Sequence, residues 1–274
     1  MKNLGKAGLK PAAILEALKK THPEESILAT ITTIYSARKK AQQQLLDGCS
    51  PIVHLNKTLA KSDFATFTKV DLDGELKALF FCHSLSIKLL STYHYILLLD
   101  CMYKPNKYKM PLLHIAGKTG ASKSFSVAFC FLAEETQEYY QWALNCLLSV
   151  FTTNKIPLPD VLITNQEQAL INSIESTFPD ATHLLCTWNI LKNLMTNGAK
   201  LIKDKAKEAQ MLHHWNNLIR IPIKSKFCSS FKQFASQYGP KFQSYMLNTW
   251  LPVAEKYSNA WTKRIPHFEN RTTS

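Results

Sequence analysis

The sequence predicts an α/β fold, and three observations carry that prediction. Short apolar runs of strand length recur between residues 95 and 188, starting with Tyr-Ile-Leu-Leu-Leu at residues 95–99. Segments with apolar residues at helical spacing separate the later runs. Hydrophobic residues make up 46% of the 274, enough to core one large domain or a domain with a smaller annex. No apolar run approaches the ~18–20 residues of a membrane helix. Residues 1–10 are basic but lack the apolar centre of a secretory signal. An intracellular protein with no membrane partner is the expectation.

The chain carries 33 Lys and Arg against 20 Asp and Glu, a net charge of +13. That excess favours a polyanionic partner, of which nucleic acid is the commonest, although basic chains without such a partner exist. Seven cysteines are odd in number, scattered and partly inside apolar runs, which suits reduced core thiols. No Cys-x-x-Cys occurs, which argues against a closed zinc knuckle.

In chain order, Pro11 stands at a first helical position, with Ile14, Leu15 and Leu18 on one face. Thr21-His-Pro-Glu reads as a capping box, and Thr30 as a second cap before a helix over residues 31–44. That helix carries Arg38, Lys39 and Lys40, which gives residues 1–62 the outline of a helix-turn-helix. A small helical annex with a solvated basic face fits the same residues. Residues 52–60 read as a further short helix.

Residues 63–92 read as a β-hairpin, turning at Asp71-Leu-Asp-Gly74, followed by a helix that Ser84 can cap. Strands are then expected at residues 95–99, 110–117 and 125–132, a helix at 134–151, a strand at 160–164, a helix at 166–178 and a strand at 182–188. Three antiparallel strands followed by parallel ones with helical crossovers is the order of the ribonuclease-H-like fold. Residues 93–198 are read as this core. From residue 199 to 274 the pattern is helical. Its aromatics Phe227, Phe231, Phe234, Phe242, Tyr245 and Trp250 are interleaved with lysines and suit an amphipathic core better than a stacking platform.

Asp100 closes the apolar run of the first core strand. An acid there stands at the rim of a sheet, hydrated or able to hold a metal; a plain turn-former is the rival reading. Asn165 closes the fourth strand, and in this strand order the two ends meet at one edge. Two-metal phosphoryl transfer needs clustered carboxylates, and an Asn supplies oxygen without charge. His183 and Cys186 are two metal-capable residues, but two ligands do not make a zinc site.

The motifs at residues 97–113 (Leu-Leu-Leu-Asp-Cys-Met-Tyr-Lys-Pro-Asn-Lys-Tyr-Lys-Met-Pro-Leu-Leu), 123–132 (Lys-Ser-Phe-Ser-Val-Ala-Phe-Cys-Phe-Leu) and 134–144 resemble those of Mutator-like element (MULE) transposases. So do Ile-Thr and Ala-Leu within 163–170 and Leu-Leu-Cys-Thr-Trp at 184–188. Far-red-response transcription factors of plants derive from the same elements. The resemblance implies a DNA-cutting, strand-transferring DDE transposase or integrase core. Its Mg²⁺ or Mn²⁺ would be held by two Asp and a Glu, with a helical insertion before the final acid.

Carried over, Asp100 matches the first acid and Asn165 stands where the second Asp belongs. The third acid is expected a few residues beyond His267-Phe-Glu-Asn-Arg-Thr-Thr-Ser, where the sequence stops, so a truncated copy is expected. Asn189 replaces the His of the family's Cys-x-x-His beginning at Cys186, and Pro105 replaces a Thr. Glu167 and Glu269 are weighed as substitutes and set aside.

The implied partner is DNA, by resemblance the terminal inverted repeats of a transposable element, contacted through Arg38, Lys39, Lys40, Lys104, Lys107 and Lys109. A nuclear location and a homo-oligomer are compatible with the resemblance. The reading is a degenerate transposase without functional metal or catalysis. Its rivals are a non-catalytic DNA-binding regulator, an element remnant and an active transposase.

Overall fold

The computed structural model describes residues 10–21, 29–46, 48–102, 110–121, 123–202 and 204–265. The chain divides into two compact units, residues 1–61 and 62–274. The first unit holds three helices, α1 (Pro11–Thr21), α2 (Ile31–Leu46) and α3 (Pro51–Leu59). Helices α1 and α2 pack together, and Ile14 and Ile34 are buried.

Thr30 caps α2 as its sequence suggests: its Oγ1 accepts from the backbone N–H of Thr33 (3.2 Å), and the Thr33 hydroxyl accepts from the N–H of Thr30 (3.1 Å). Thr21 does not begin a helix. It is the last residue of α1, and its hydroxyl donates back to the Ala17 carbonyl at 2.9 Å. The rest of that expected capping box lies outside the described residues. Because the Thr30–Thr33 pair satisfies two otherwise orphaned groups, Thr30→Ala is expected to cost about 1 kcal/mol of the unit's stability. Urea denaturation followed by circular dichroism measures it.

The second unit is mixed α/β, built on a seven-stranded sheet of order β1-β2-β5-β4-β3-β6-β7. The strands are β1 (Phe64–Val70), β2 (Leu76–His83), β3 (Ile96–Met102), β4 (Leu112–Lys118), β5 (Ser124–Phe131), β6 (Val161–Thr164) and β7 (Thr182–Leu185). The β1–β2 hairpin turns where Asp71-Leu-Asp-Gly74 predicts. Asp71 Oδ1 accepts from the N–H groups of Asp73 (3.1 Å) and Glu75 (2.8 Å), and Gly74 takes a φ of +76°, open to glycine without strain. The hairpin joins the sheet through β2 and β5. Helix α4 (Ser84–Thr92) is capped by His83, not Ser84. The Nδ1 of His83 accepts from the Leu85 N–H at 3.0 Å.

Strands β3, β4 and β5 are antiparallel, while β6 and β7 run parallel to β3. The crossovers are α5 (Gln137–Thr153) and α6 (Gln168–Thr177). Leu97, Leu99, Leu113 and Leu162 face these helices and meet Tyr140, Leu144, Leu147, Leu170 and Ile174. The opposite face holds Ile96, Leu98, Val161, Ile163 and Leu184. Burial on both faces explains why β3 begins as an unbroken apolar run without polar alternation.

Two expected boundaries move. Strand β3 does not stop at the acid: Asp100 pairs with His114 and Met102 with Leu112, because β4 still offers ladder partners there. The turn-former reading of Asp100 is thereby overturned. Strand β7 stops at Leu185, not residue 188, because its neighbour β6 ends at Thr164, the partner of Leu185. The Cys186 N–H makes the closing bond to the Thr164 carbonyl at 2.7 Å, and Trp188 is already helical.

The remainder is helical. Helix α7 (Thr187–Asn193) runs through a π-helical turn, Leu194–Gly198, into α8 (Ala199–Ile202). There follow α9 (Lys205–Leu218), α10 (Lys224–Ser236), α11 (Pro240–Tyr245), a second π-helical turn (Met246–Trp250), a 3-10 turn (Leu251–Lys256) and α12 (Asn259–Thr262). Met211, Trp215, Phe227, Phe231, Phe242 and Trp250 make the core of this lobe, while Lys224, Lys226, Lys232 and Lys241 are exposed. The aromatic face is therefore spent on packing. Among the described residues, no helix is long and apolar enough to cross a membrane.

Candidate functional site

The parallel strands β3, β6 and β7 all point their C-terminal ends to one edge of the sheet, where open α/β sheets bind ligands. Leu99 and Thr164 are paired, as are Thr164 and Leu185. The residues one step further on, Asp100, Asn165 and Cys186, therefore emerge side by side. They line a cleft of about 420 Å³. The facing wall comes from α7 and the first π-helical turn, through Asn189, Lys192, Asn193, Thr196 and Asn197, with Trp250 of the second π-helical turn behind. Asp100 is the sole carboxylate in the lining among the described residues.

Asn165 is held firmly by its main chain. Its carbonyl accepts from the Thr164 hydroxyl at 2.6 Å. Thr164 Oγ1 in turn meets His183 Nε2 at 2.9 Å, and His183 Nδ1 meets the Lys256 ammonium at 3.3 Å. Since the ammonium can only donate, Nδ1 accepts and the ring proton sits on Nε2, giving a relay Lys256→His183→Thr164→Asn165. Burial and the adjacent Lys256 charge hold His183 down to about 4, so the ring is neutral at physiological pH. Both ring nitrogens are engaged, which removes His183 as a metal ligand. The side chain of Asn165 is different: its Oδ1 is buried with no hydrogen-bond partner among the described residues. Such an orphaned acceptor costs about 1–3 kcal/mol.

The facing wall is also wired. Asn193 Oδ1 accepts from the Tyr245 hydroxyl (2.6 Å) and from Asn197 Nδ2 (3.2 Å), and Trp250 Nε1 donates to Tyr245 at 2.9 Å. This network ties the two π-helical turns together across the back of the cleft. π-helical turns are rare and gather at functional sites, so two of them bordering one cleft is a second pointer to this place.

On the other side of β3, His114 stacks on Phe129 (4.6 Å between centroids) and bonds Ser126 at 3.0 Å. Burial lowers the basicity of His114, opposed by the neighbouring charge of Asp100. Cys101, next to Asp100, places Sγ 3.2 Å from Glu135 Oε1, and burial pushes its thiol up to about 12. It is no nucleophile at neutral pH.

The cleft brings together Asp100, Asn165, Cys186 and Asn189. Arg38, Lys39 and Lys40 lie on α2 in the other unit, the two lysines exposed and Arg38 half-buried. Lys104, Lys107, Lys109, Pro105, Glu269 and the motif at 267–274 lie outside the described residues. Glu167 precedes α6 and does not line the cleft. Lys192, Asn193 and Asn197 were not anticipated. Their signal was present in the sequence: Asn189, Asn193 and Asn197 recur at a spacing of four, one face of a helix.

A sheet edge with an acid on its central strand, faced by a helix from a following helical lobe, defines a class of α/β domain built to work at the C-terminal ends of its strands. Residues 96–193 match the MULE transposase domain. This match and the relatives below support a MULE-type, transposase-derived protein. The chain is similar to the Protein FAR-RED IMPAIRED RESPONSE 1 of Arabidopsis thaliana, 22% identical over 198 residues, which cover 71% of this chain and 23% of that protein. The Protein FAR1-RELATED SEQUENCE 6 of the same plant is 25% identical over 136 residues, 50% of this chain and 19% of that protein. The PKS-NRPS hybrid synthetase cheA of Chaetomium globosum is 26% identical over 191 residues, 68% of this chain and 4% of that protein. The chain thus spans less than a quarter of the length of each of these relatives.

Proposed function

We propose that this chain is a DNA-binding protein derived from a DDE transposase, with a ribonuclease-H-like core that no longer cuts DNA. The fold reading is supported by the order β5-β4-β3-β6-β7, three antiparallel strands and then two parallel ones reached by helical crossovers. The loss of cleavage is carried by one observation: the oxygen beside Asp100, at the strand end where the second acid belongs, is a carboxamide.

A pair of divalent ions needs bridging anionic oxygens, because each ion repels the other. Among the described residues, no three His, Cys, Asp or Glu side chains gather in a metal-binding group. Among the described residues, the donor set of the cleft, one carboxylate with amides and a lysine, does not fit the Mg²⁺ or Mn²⁺ pair of the ancestral reaction. What the cleft offers suits polar contact with a nucleic-acid strand. The net charge of +13 supplies the electrostatic attraction, and a nuclear location follows from the same reading.

The test has two arms. Duplex DNA should bind at low salt, with affinity falling steeply as salt rises, by a slope of roughly 0.9 per phosphate neutralised. No binding at low salt refutes the DNA-binding reading. Supercoiled plasmid should stay intact with Mg²⁺ or Mn²⁺; nicking that disappears in Asp100→Ala refutes the loss of cleavage.

A further inference from the structure

We infer that the helical run from α7 through the first π-helical turn is a capture site for unpaired DNA, with Trp188 as the stacking surface for an extruded base. The inference rests on the DNA-binding reading and goes beyond it in naming the strand state and the residue.

Trp188 is 45% exposed and Met195, seven residues further along, is 48% exposed. No hydrogen bond or ring contact engages Trp188 among the described residues. Four of the five tryptophans lie more deeply in the fold, so the exposed indole is not a general habit of this chain. Trp188 is followed at helical spacing by Lys192 and Thr196, both in the wall of the cleft and both exposed. Lys192 forms no ion pair among the described residues, and neither does exposed Lys200 on α8. An aromatic face, two uncommitted ammonium groups and a row of amides thus run along one helical segment.

That combination is the one a single strand requires. Base stacking on an aromatic ring tolerates any sequence, lysines follow the phosphates, and amides bond to base edges. A duplex offers no free base face, because its bases stack on one another. Among the described residues, the cleft at the foot of the helix is lined by one carboxylate, so a polyanionic strand meets little repulsion from them.

The experiment measures fluorescence anisotropy of a fluorescein-labelled oligothymidylate and of a duplex of equal length at low salt, using the whole chain. The unmodified protein should hold the single strand more tightly than the duplex. Trp188→Ala should weaken single-strand binding about tenfold and leave duplex binding unchanged, while Trp188→Phe should keep most of the affinity. Lys192→Ala should weaken both and lower the salt slope by about one. Because Trp188 is exposed, neither of its variants removes core packing, and matching circular dichroism spectra check this. If duplex binding persists and Trp188→Ala leaves single-strand affinity intact, this inference falls and the DNA-binding reading stands. If the unmodified protein binds neither probe, both fall.

Discussion

Asn165→Asp is expected to raise the affinity of the cleft for Mn²⁺ about 100-fold. The change is nearly isosteric, so it tests charge and not shape. At ~4 Å and an effective dielectric of ~20, a carboxylate and a divalent ion interact by ~8 kcal/mol, and repulsion from the Asp100 carboxylate together with partial solvent access reduces the net gain to roughly 3 kcal/mol. Each 1.4 kcal/mol is a factor of about ten in binding. The relevant pair already stands together, because Leu99 and Thr164 are matched in the parallel ladder and Asp100 and Asn165 follow them.

A second carboxylate next to Asp100 should also raise the pKa of one of the two, as like charges disfavour joint ionisation. Mn²⁺ binding by the variant should therefore strengthen with rising pH through the carboxylate range and beyond, as the ion displaces the shared proton. Without metal, the variant should be less stable than the parent above that range, since an ionised side chain replaces a neutral one at a site where Oδ1 has no partner. Added Mn²⁺ should restore it. Isothermal titration and thermal denaturation with and without Mn²⁺ measure both effects. Equal Mn²⁺ affinity in parent and variant would refute the proposal that Asn165 stands at an ancestral metal position.

Trp215→Ala is expected to cost about 3–5 kcal/mol, the range for a large aromatic deleted from a packed core. Trp215 is fully buried on α9, with its ring 5.5 Å from that of Tyr257, 6.2 Å from Phe234 and 6.5 Å from Phe231. It joins α9, α10 and the segment after the 3-10 turn, so the cavity opens at the centre of the helical lobe. Trp215→Phe separates packing from polarity. Its smaller ring loses contact area, but it also removes the indole N–H, which is buried without an acceptor among the described residues. The two effects oppose each other, and the net loss should fall well below that of the alanine variant. Urea unfolding monitored by circular dichroism gives both numbers. A loss for Trp215→Ala below about 1 kcal/mol would mean that the lobe does not fold around this residue.

The strand–helix order of the core was legible because its strands are short apolar runs and its crossovers keep helical spacing. The β1–β2 turn was equally legible, since Asp71 and Gly74 do their work within five residues. Local chemistry misled where two residues could serve the same end. Thr21, Ser84 and His83 all lie near helix termini, and only the backbone direction decided that Thr21 closes a helix and His83 opens one. The boundaries of β3 and β7 depended on how far a neighbouring strand extends, a property of the pair and not of either segment.

For the site, the sequence by itself determined the chemistry of the two key positions: an acid at 100 and an uncharged amide at 165. It also determined the aromatic repeat of the helical lobe, because amphipathic spacing is written in the chain. Tertiary structure decided what faces those positions. The π-helical turns, the Asn193–Tyr245–Trp250 network and the Lys256–His183–Thr164 relay join residues from 5 to 73 positions apart. Such contacts are fixed by the packing of whole elements, and no local pattern encodes them. The exposure of Trp188 is of the same kind: the sequence placed it in a strand, and the end of the β6 ladder put it on a helix facing solvent.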